Sequence, residues 1–272
     1  MRYVLGVDLG TGSAKAVLLD GEGVQIGRGT AEYPLHKPHP GWVEQDGEDW
    51  WRALGAAARQ ALGDRDPGQV ACVGLSGQLN GAVFVDGAGQ PLRAVPIWLD
   101  HRSQKECEWA EQKAGDLLKE RALSRLGPVN TLAKVLWLKA NEPEIYRQAR
   151  WALLPKDWLR LRLTGEVGSE VSDASVTAAF DLYRRERSGE ILEALEIDAG
   201  LFPPVMDSPD IAGQISAQAA AETGLKAGTP VVAGGGDMPC MILGSGVIAP
   251  GVVACGIGTA AHATAYAEEL DS

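Results

Sequence analysis

Residues 4–20 read VLGVDLGTGSAKAVLLD. Val4 to Asp8 is a short apolar run closed by Gly10-Thr11-Gly12-Ser13, and Lys15 to Asp20 is again apolar and β-prone. Two such runs around glycines predict two strands joined by a tight turn. Gly21-Glu22-Gly23 then breaks the chain before a further run at Val24, so the N-terminus reads as a meander. Near the other end, residues 252–268, VVACGIGTAAHATAYAE, repeat the order strand, Gly-Thr turn, strand. Gly258-Thr259 matches Gly10-Thr11 while Gly256 stands where Asp8 stands, so the second copy keeps the turn and loses the acid. Two such hairpins predict a duplicated architecture with two phosphate-facing turns.

Between them, Asp46 sits where an N-cap belongs, ahead of Trp50, Trp51, Leu54, Ala58 and Leu62 at helical spacing, and Gly63 closes the segment. Val70–Ser76, Ala82–Val85, Pro96–Leu99, Trp151–Leu154 and Val231–Ala233 read as strands, and residues 102–150 as mostly helical up to the break at Pro143. Pro155 opens a helix through Leu163 that Gly165 ends, and Pro203-Pro204 with Ser208-Pro209 mark a loop. Alternation of this kind predicts an α/β fold with a mixed sheet.

The 272 residues carry 25 Lys+Arg against 36 Asp+Glu, a formal charge of −11, with 45% hydrophobic residues. Such a chain builds a sizeable core. Its acidity without basic runs excludes nucleic acid or an anionic membrane as the main partner, because both demand local positive charge. No apolar run reaches the roughly 18 residues a bilayer span needs, and the N-terminus has no signal-peptide core, which points to the cytoplasm. Cys72, Cys107, Cys240 and Cys255 form no CxxC pair and read as buried free thiols.

Three places could carry chemistry. Asp8 with Gly10, Thr11, Gly12, Ser13 and Lys15 offers turn amides, two hydroxyls and an ammonium to phosphate oxygens, and a strand-end carboxylate that could hold Mg²⁺ through water. Gly234-Gly235-Gly236-Asp237 sets a carboxylate at a helix start. It reads either as an N-cap, the usual role of an Asp at a helix start, or as a base for deprotonating an alcohol, and three glycines weaken the first reading because a cap needs none of them whereas close approach of a ligand does. Ser76-Gly77-Gln78-Leu79-Asn80-Gly81 and Trp98-Leu99-Asp100-His101-Arg102 gather amides, an indole and a carboxylate at strand ends, the groups that read sugars. The plainer readings are core packing for Trp98 and a solvated helix start for His101 and Arg102.

Taken in order, GVDLGTGSAKAVLLD, HPGWVEQDGEDWW, GLSGQLNGAV, PIWLDHRS, LLPKDWLRLRLTGE, SDASVT and VVAGGGD resemble the N-terminal lobe of the FGGY-family carbohydrate kinases, the xylulokinases above all, over residues 1 to 268. The resemblance implies an actin-like, hexokinase-like fold, a ribonuclease H-like lobe whose mixed sheet is flanked by helices. It divides the chain into a sugar-binding lobe, residues 1–245, and the start of a nucleotide-binding lobe, residues 246–272. The implied reaction is transfer of the ATP γ-phosphate to a sugar hydroxyl, most simply of a ketopentose such as xylulose. It makes Asp237 the general base, Asp8 the Mg²⁺ organiser, and Gly10, Thr11, Gly12, Ser13 and Lys15 the groups facing the phosphates. Gly258 and Thr259 become a second phosphate turn, and Gln78, Leu79, Asn80, Trp98, Asp100 and Asp173 line the sugar site.

Three departures from the family pattern stand out. Gln-Met-His-Gly is Gln78-Leu79-Asn80-Gly81 here, replacing a sugar-contacting His with an amide. Gly-Asp-Asn is Gly236-Asp237-Met238, and Leu-Gly-Thr-Ser-Gly is Gly256-Ile257-Gly258-Thr259-Ala260, which removes a hydroxyl and a glycine. Ending just inside the second lobe, the chain reads as a truncated kinase or gene fragment without its adenine site, and its last hairpin offers a free edge for pairing between chains, as in a homodimer. Two other readings are a non-catalytic sugar-binding or regulatory module and an actin-like ATPase.

Overall fold

The computed structural model describes residues 2–257 and 261–268. The predicted meander is present as antiparallel strands Tyr3–Leu9, Ser13–Leu19 and Gln25–Glu32. Leu5, Val7 and Leu9 alternate with more exposed neighbours, as do Ala14, Ala16 and Leu18, so one face of the hairpin is apolar and must be covered. Helix Gly47–Leu62 covers it, burying Trp50, Leu54, Ala57, Ala58 and Ala61. It begins as the sequence predicts, with the Asp46 carboxylate accepting the Glu48 N–H and Gly63 at its C-terminal cap.

The first strand also pairs in parallel with Val70–Gly77, which pairs in parallel with Pro230–Val232 and with the short Gly235–Gly236. Ile211–Gln214, which follows the expected loop at Ser208-Pro209, closes that edge antiparallel. The result is a seven-stranded mixed sheet. Three of its parallel strands end together, at Leu9, Gly77 and Gly236, one residue beyond Asp8 and Ser76. In open α/β sheets those carboxyl ends are where ligands bind.

A second core lies outside the sheet, where Phe84, Ala110, Leu118, Leu132, Val135, Leu192 and Phe202 pack together. Its helices are Gln104–Ala122, Thr131–Asn141, Pro143–Gln148 and Gly189–Ala194. Helix Thr131–Asn141 ends before Pro143 as expected, and Pro143 at once opens the next helix, since a proline at the first helical position lacks only an N–H that would be unpaired anyway. Pro155–Thr164 is helical with Gly165 left-handed at its cap, as expected. The Pro96–Leu99 strand shrinks to Val95–Pro96, because Ile97 to Asp100 turn through an Asp100 N–H to Ile97 carbonyl bond of 3.0 Å.

The repeat at the C-terminus is a hairpin, Val253–Ile257 against Ala261–Ala265, paired only with itself among the described residues. Gly258 and Thr259, its expected phosphate turn, lie outside the described residues. All four cysteines are free thiols, but only Cys107 is buried; Cys255 is exposed. Among the described residues no helix is long and apolar enough to cross a membrane.

Candidate active site

Strand register, not sequence proximity, assembles the site. Lys15, Asp8, Ser76 and Gly235 are direct neighbours across four strands, and Asp237 follows two residues after Gly235. The Ser76 hydroxyl donates to Asp8 Oδ1 at 3.0 Å, which fixes that carboxylate. Asp237 is the first residue of helix Asp237–Gly244, whose N-cap is Gly236 without a side-chain cap bond. Its Oδ1 accepts the Met238 N–H at 2.7 Å. Burial, and then the negative charge of Asp8, push the Asp237 carboxyl above the usual carboxylate range. A carboxylate poised this way is a better proton acceptor than a solvated one.

The three glycines before Asp237 have a different cause from the one expected. Gly234 has φ +83°, and a Cβ there would lie 2.1 Å from the Leu75 carbonyl oxygen. A Cβ on Gly236 would lie 2.2 Å from Leu79 Cδ2. Protein atoms, not a ligand, fill the space the glycines vacate. The turn then rests on a bed of buried charge. Lys156 Nζ and Arg160 Nη1 donate to the Ala233 carbonyl at 3.1 and 2.9 Å, while Asp157 holds both cations at 2.8 and 3.0 Å. On the other side the Gly236 N–H donates to Ser172 Oγ at 3.0 Å, and that hydroxyl donates to Glu170 at 2.8 Å.

Asp173 belongs to this bed. It is 1% exposed and 3.1 Å from Lys156 Nζ. Burial raises its carboxyl to about 8, with the negative charges of Asp157 and Glu170 adding to the effect and Lys156 opposing it.

In the turn after Asp8, carbonyls point inward. Tyr33 Oη donates to the Gly10 carbonyl, Tyr33 N–H to that of Gly12 at 3.2 Å, and Gln45 Nε2 to that of Thr11 at 2.7 Å. The amides of Thr11 and Gly12 make no hydrogen bond among the described residues. Unpaired turn N–H groups beside an exposed Lys15 suit phosphate oxygens. For Mg²⁺, Asp8 provides a hard oxygen ligand beside that turn. Among the described residues no cluster of three or more His, Cys, Asp or Glu side chains could hold a metal. That fits an ion held by one or two carboxylates, waters and phosphates rather than by a protein cage.

On the sugar side the predicted residues divide. Trp98 is 40% exposed, which removes core packing as its role, and its indole N–H donates to Thr11 Oγ1 at 2.9 Å. Asn80 takes the left-handed region at φ +65°, and its Oδ1 is buried with no partner among the described residues. Gln78 is 1% exposed, and its Nε2 donates to Gln45 Oε1 at 2.8 Å. Asp100 is fully buried, accepting from the Val43 N–H at 2.7 Å and from the Arg102 N–H, Nε and Nη2 at 3.1, 2.8 and 2.7 Å. Arg102 is thus no solvated helix start: it stacks on Trp42 at 3.7 Å and pairs with Glu44 at 2.7 Å.

Ser76 was given no role of its own within its motif, and Gln45, Tyr33 and the Lys156–Arg160–Glu170 bed were not singled out in the sequence. Lys156 and Arg160, four apart among apolar residues of one helix, were its only visible trace.

The architecture and the two carboxylates at the strand ends define a kinase-type lobe of the actin-like ATPase fold. The sequence profile of the FGGY family of carbohydrate kinases, N-terminal domain, matches residues 3–244, and the chain belongs to that family. It is 35% identical over 273 residues to the xylulose kinase of Bacillus subtilis, covering all of this chain and 55% of that protein. With the xylulose kinase of Escherichia coli it shares 36% over 258 residues, 94% of this chain and 52% of that one. Among solved structures, a xyloylose kinase from Brucella ovis superposes with a TM-score of 0.88 at 35% identity, covering 96% of this chain and 54% of that chain. The chain therefore spans about half the length of the relatives it matches.

Proposed function

We propose that this chain is the sugar-binding lobe of an ATP-dependent kinase that phosphorylates a sugar hydroxyl, a ketopentose such as xylulose being the substrate class, with residues 246–272 opening a nucleotide-binding lobe. The observation that carries the reading is the gathering of Asp8 and Asp237 at the carboxyl ends of the two strands that flank the Ser76 strand, with Asp237 raised by burial and by Asp8. Asp237 accepts the proton of the attacking hydroxyl as its oxygen bonds the γ-phosphorus and the bond to the β-phosphate oxygen breaks, releasing ADP. The amides of Thr11 and Gly12, the Thr11 and Ser13 hydroxyls and Lys15 hold the phosphates in line. Asp8 is the residue to hold Mg²⁺, which when bound supplies charge neutralisation of the phosphates. Trp98, Leu79 and Asn80 face the sugar, while Gln78, Asp100 and Asp173 support the site from beneath.

Two measurements test this. Calorimetric titration of the chain with D-xylulose, D-ribulose, L-ribulose, xylitol, glycerol and gluconate should give saturable binding of one ketopentose. In a protein carrying this lobe joined to a second one like that of its relatives, Asp237→Asn should lower turnover by about 10²–10⁴-fold while sugar binding persists. Full activity in that variant refutes the general-base role.

A further inference from the structure

The sugar side and the phosphate side of the cleft are wired to one residue. Thr11 receives two donors from residues far from it in the chain: Trp98 Nε1–H on its hydroxyl oxygen at 2.9 Å and Gln45 Nε2–H on its carbonyl at 2.7 Å. Gln45 cannot turn away, because it is fully buried and its Oε1 accepts from Gln78 Nε2 at 2.8 Å and Trp50 Nε1 at 3.2 Å. The backbone of Thr11 is therefore fixed from the core, and among the described residues its hydroxyl is held by Trp98 alone. A hydroxyl has one proton to give and two lone pairs to receive with, whereas an indole N–H can only donate. With Trp98 on one lone pair, the Thr11 proton has to go elsewhere, and Thr11 Oγ1 donates to no acceptor among the described residues.

We infer that Trp98 is a positioning residue for the phosphate turn: its N–H holds Thr11 Oγ1 so that the hydroxyl proton is presented to a phosphate oxygen, and the same indole carries the sugar, which couples the two substrates. The inference rests on the functional reading above for which substrate each residue faces. The coupling is reciprocal: sugar against the ring steadies the donor to Thr11, and phosphate on Thr11 steadies the ring. Trp98 is 40% exposed, so part of the indole is open to a substrate.

The test is binding of magnesium tripolyphosphate to this chain in the absence of sugar, by calorimetry, for the unsubstituted chain, Trp98→Phe, Thr11→Val and the double variant, with urea unfolding as a check that each is folded. Trp98→Phe keeps an aromatic ring while removing the N–H together with the rest of the pyrrole ring, so the Thr11→Val background isolates the part of its effect that passes through Thr11. It should weaken tripolyphosphate binding by about threefold to tenfold, the worth of one hydrogen bond. It should add no loss in the Thr11→Val background, and D-xylulose should tighten tripolyphosphate binding in the unsubstituted chain but not in Trp98→Phe. A tryptophan serving only the sugar or only the fold leaves sugar-free tripolyphosphate binding within twofold, and that result overturns the inference, as does additivity of the two substitutions. Xylulose binding without tripolyphosphate binding overturns the inference and leaves the sugar site standing. Loss of both overturns the functional reading as well.

Discussion

Replacing Asp100 with alanine separates a residue that touches sugar from one that holds the site up. The carboxylate is fully buried and accepts four hydrogen bonds, three of them from Arg102. Its removal strands the Val43 N–H and leaves a guanidinium, 1% exposed, with Glu44 at 2.7 Å as its remaining partner. Breaking a buried ion pair from one side costs about 3–5 kcal/mol, and Glu44 keeps the expectation in the lower half of that range. Urea unfolding followed by the fluorescence of the eight tryptophans measures it, as a lower midpoint with an unchanged slope. Asp100→Ala with Arg102→Met should recover part of the loss, because the stranded charge is gone. A cost under about 1 kcal/mol together with lost xylulose binding refutes this reasoning and returns Asp100 to direct sugar contact.

Asp173 titrates in the opposite sense to an ordinary salt-bridged carboxylate. Between the ordinary aspartate value of 3.8 and about 8 the native state holds more protons than the unfolded chain, so stability falls as pH rises through that window. Asp173→Asn should flatten the decline in melting temperature between pH 4 and 8, and an unchanged slope assigns it to another group. Gly234→Ala should cost about 2–5 kcal/mol, summing left-handed strain and overpacking against the Leu75 carbonyl. A loss below about 1 kcal/mol in urea unfolding means that the turn relaxes around the new methyl group.

Local patterns were legible wherever a residue acts on its own neighbourhood. The meander around Gly10–Ser13, the Asp46-capped helix and the Pro155–Gly165 helix follow from alternation, caps and breakers, which are properties of a few consecutive residues. The ordered motifs also led to the family. Burial of charge was not legible, since Arg102 at a helix start looks solvated until Trp42, Trp137 and Asp100 close around it. The glycines before Asp237 illustrate the same limit: their number was plain, but whether ligand or protein fills the space depends on Leu75 and Leu79, brought there by strand pairing.

The sequence by itself therefore determined the kinds of element, the family and the residue types available for phosphate and proton chemistry, because those are written in short-range pattern and motif order. Only the tertiary structure decided which of those residues meet. Parallel register places Ser76 between Asp8 and the Gly235–Asp237 turn, and chain crossing brings Trp98 and Gln45 onto Thr11. Contacts between residues far apart in the chain are fixed by the packing of whole elements, and no local stretch of sequence encodes that packing.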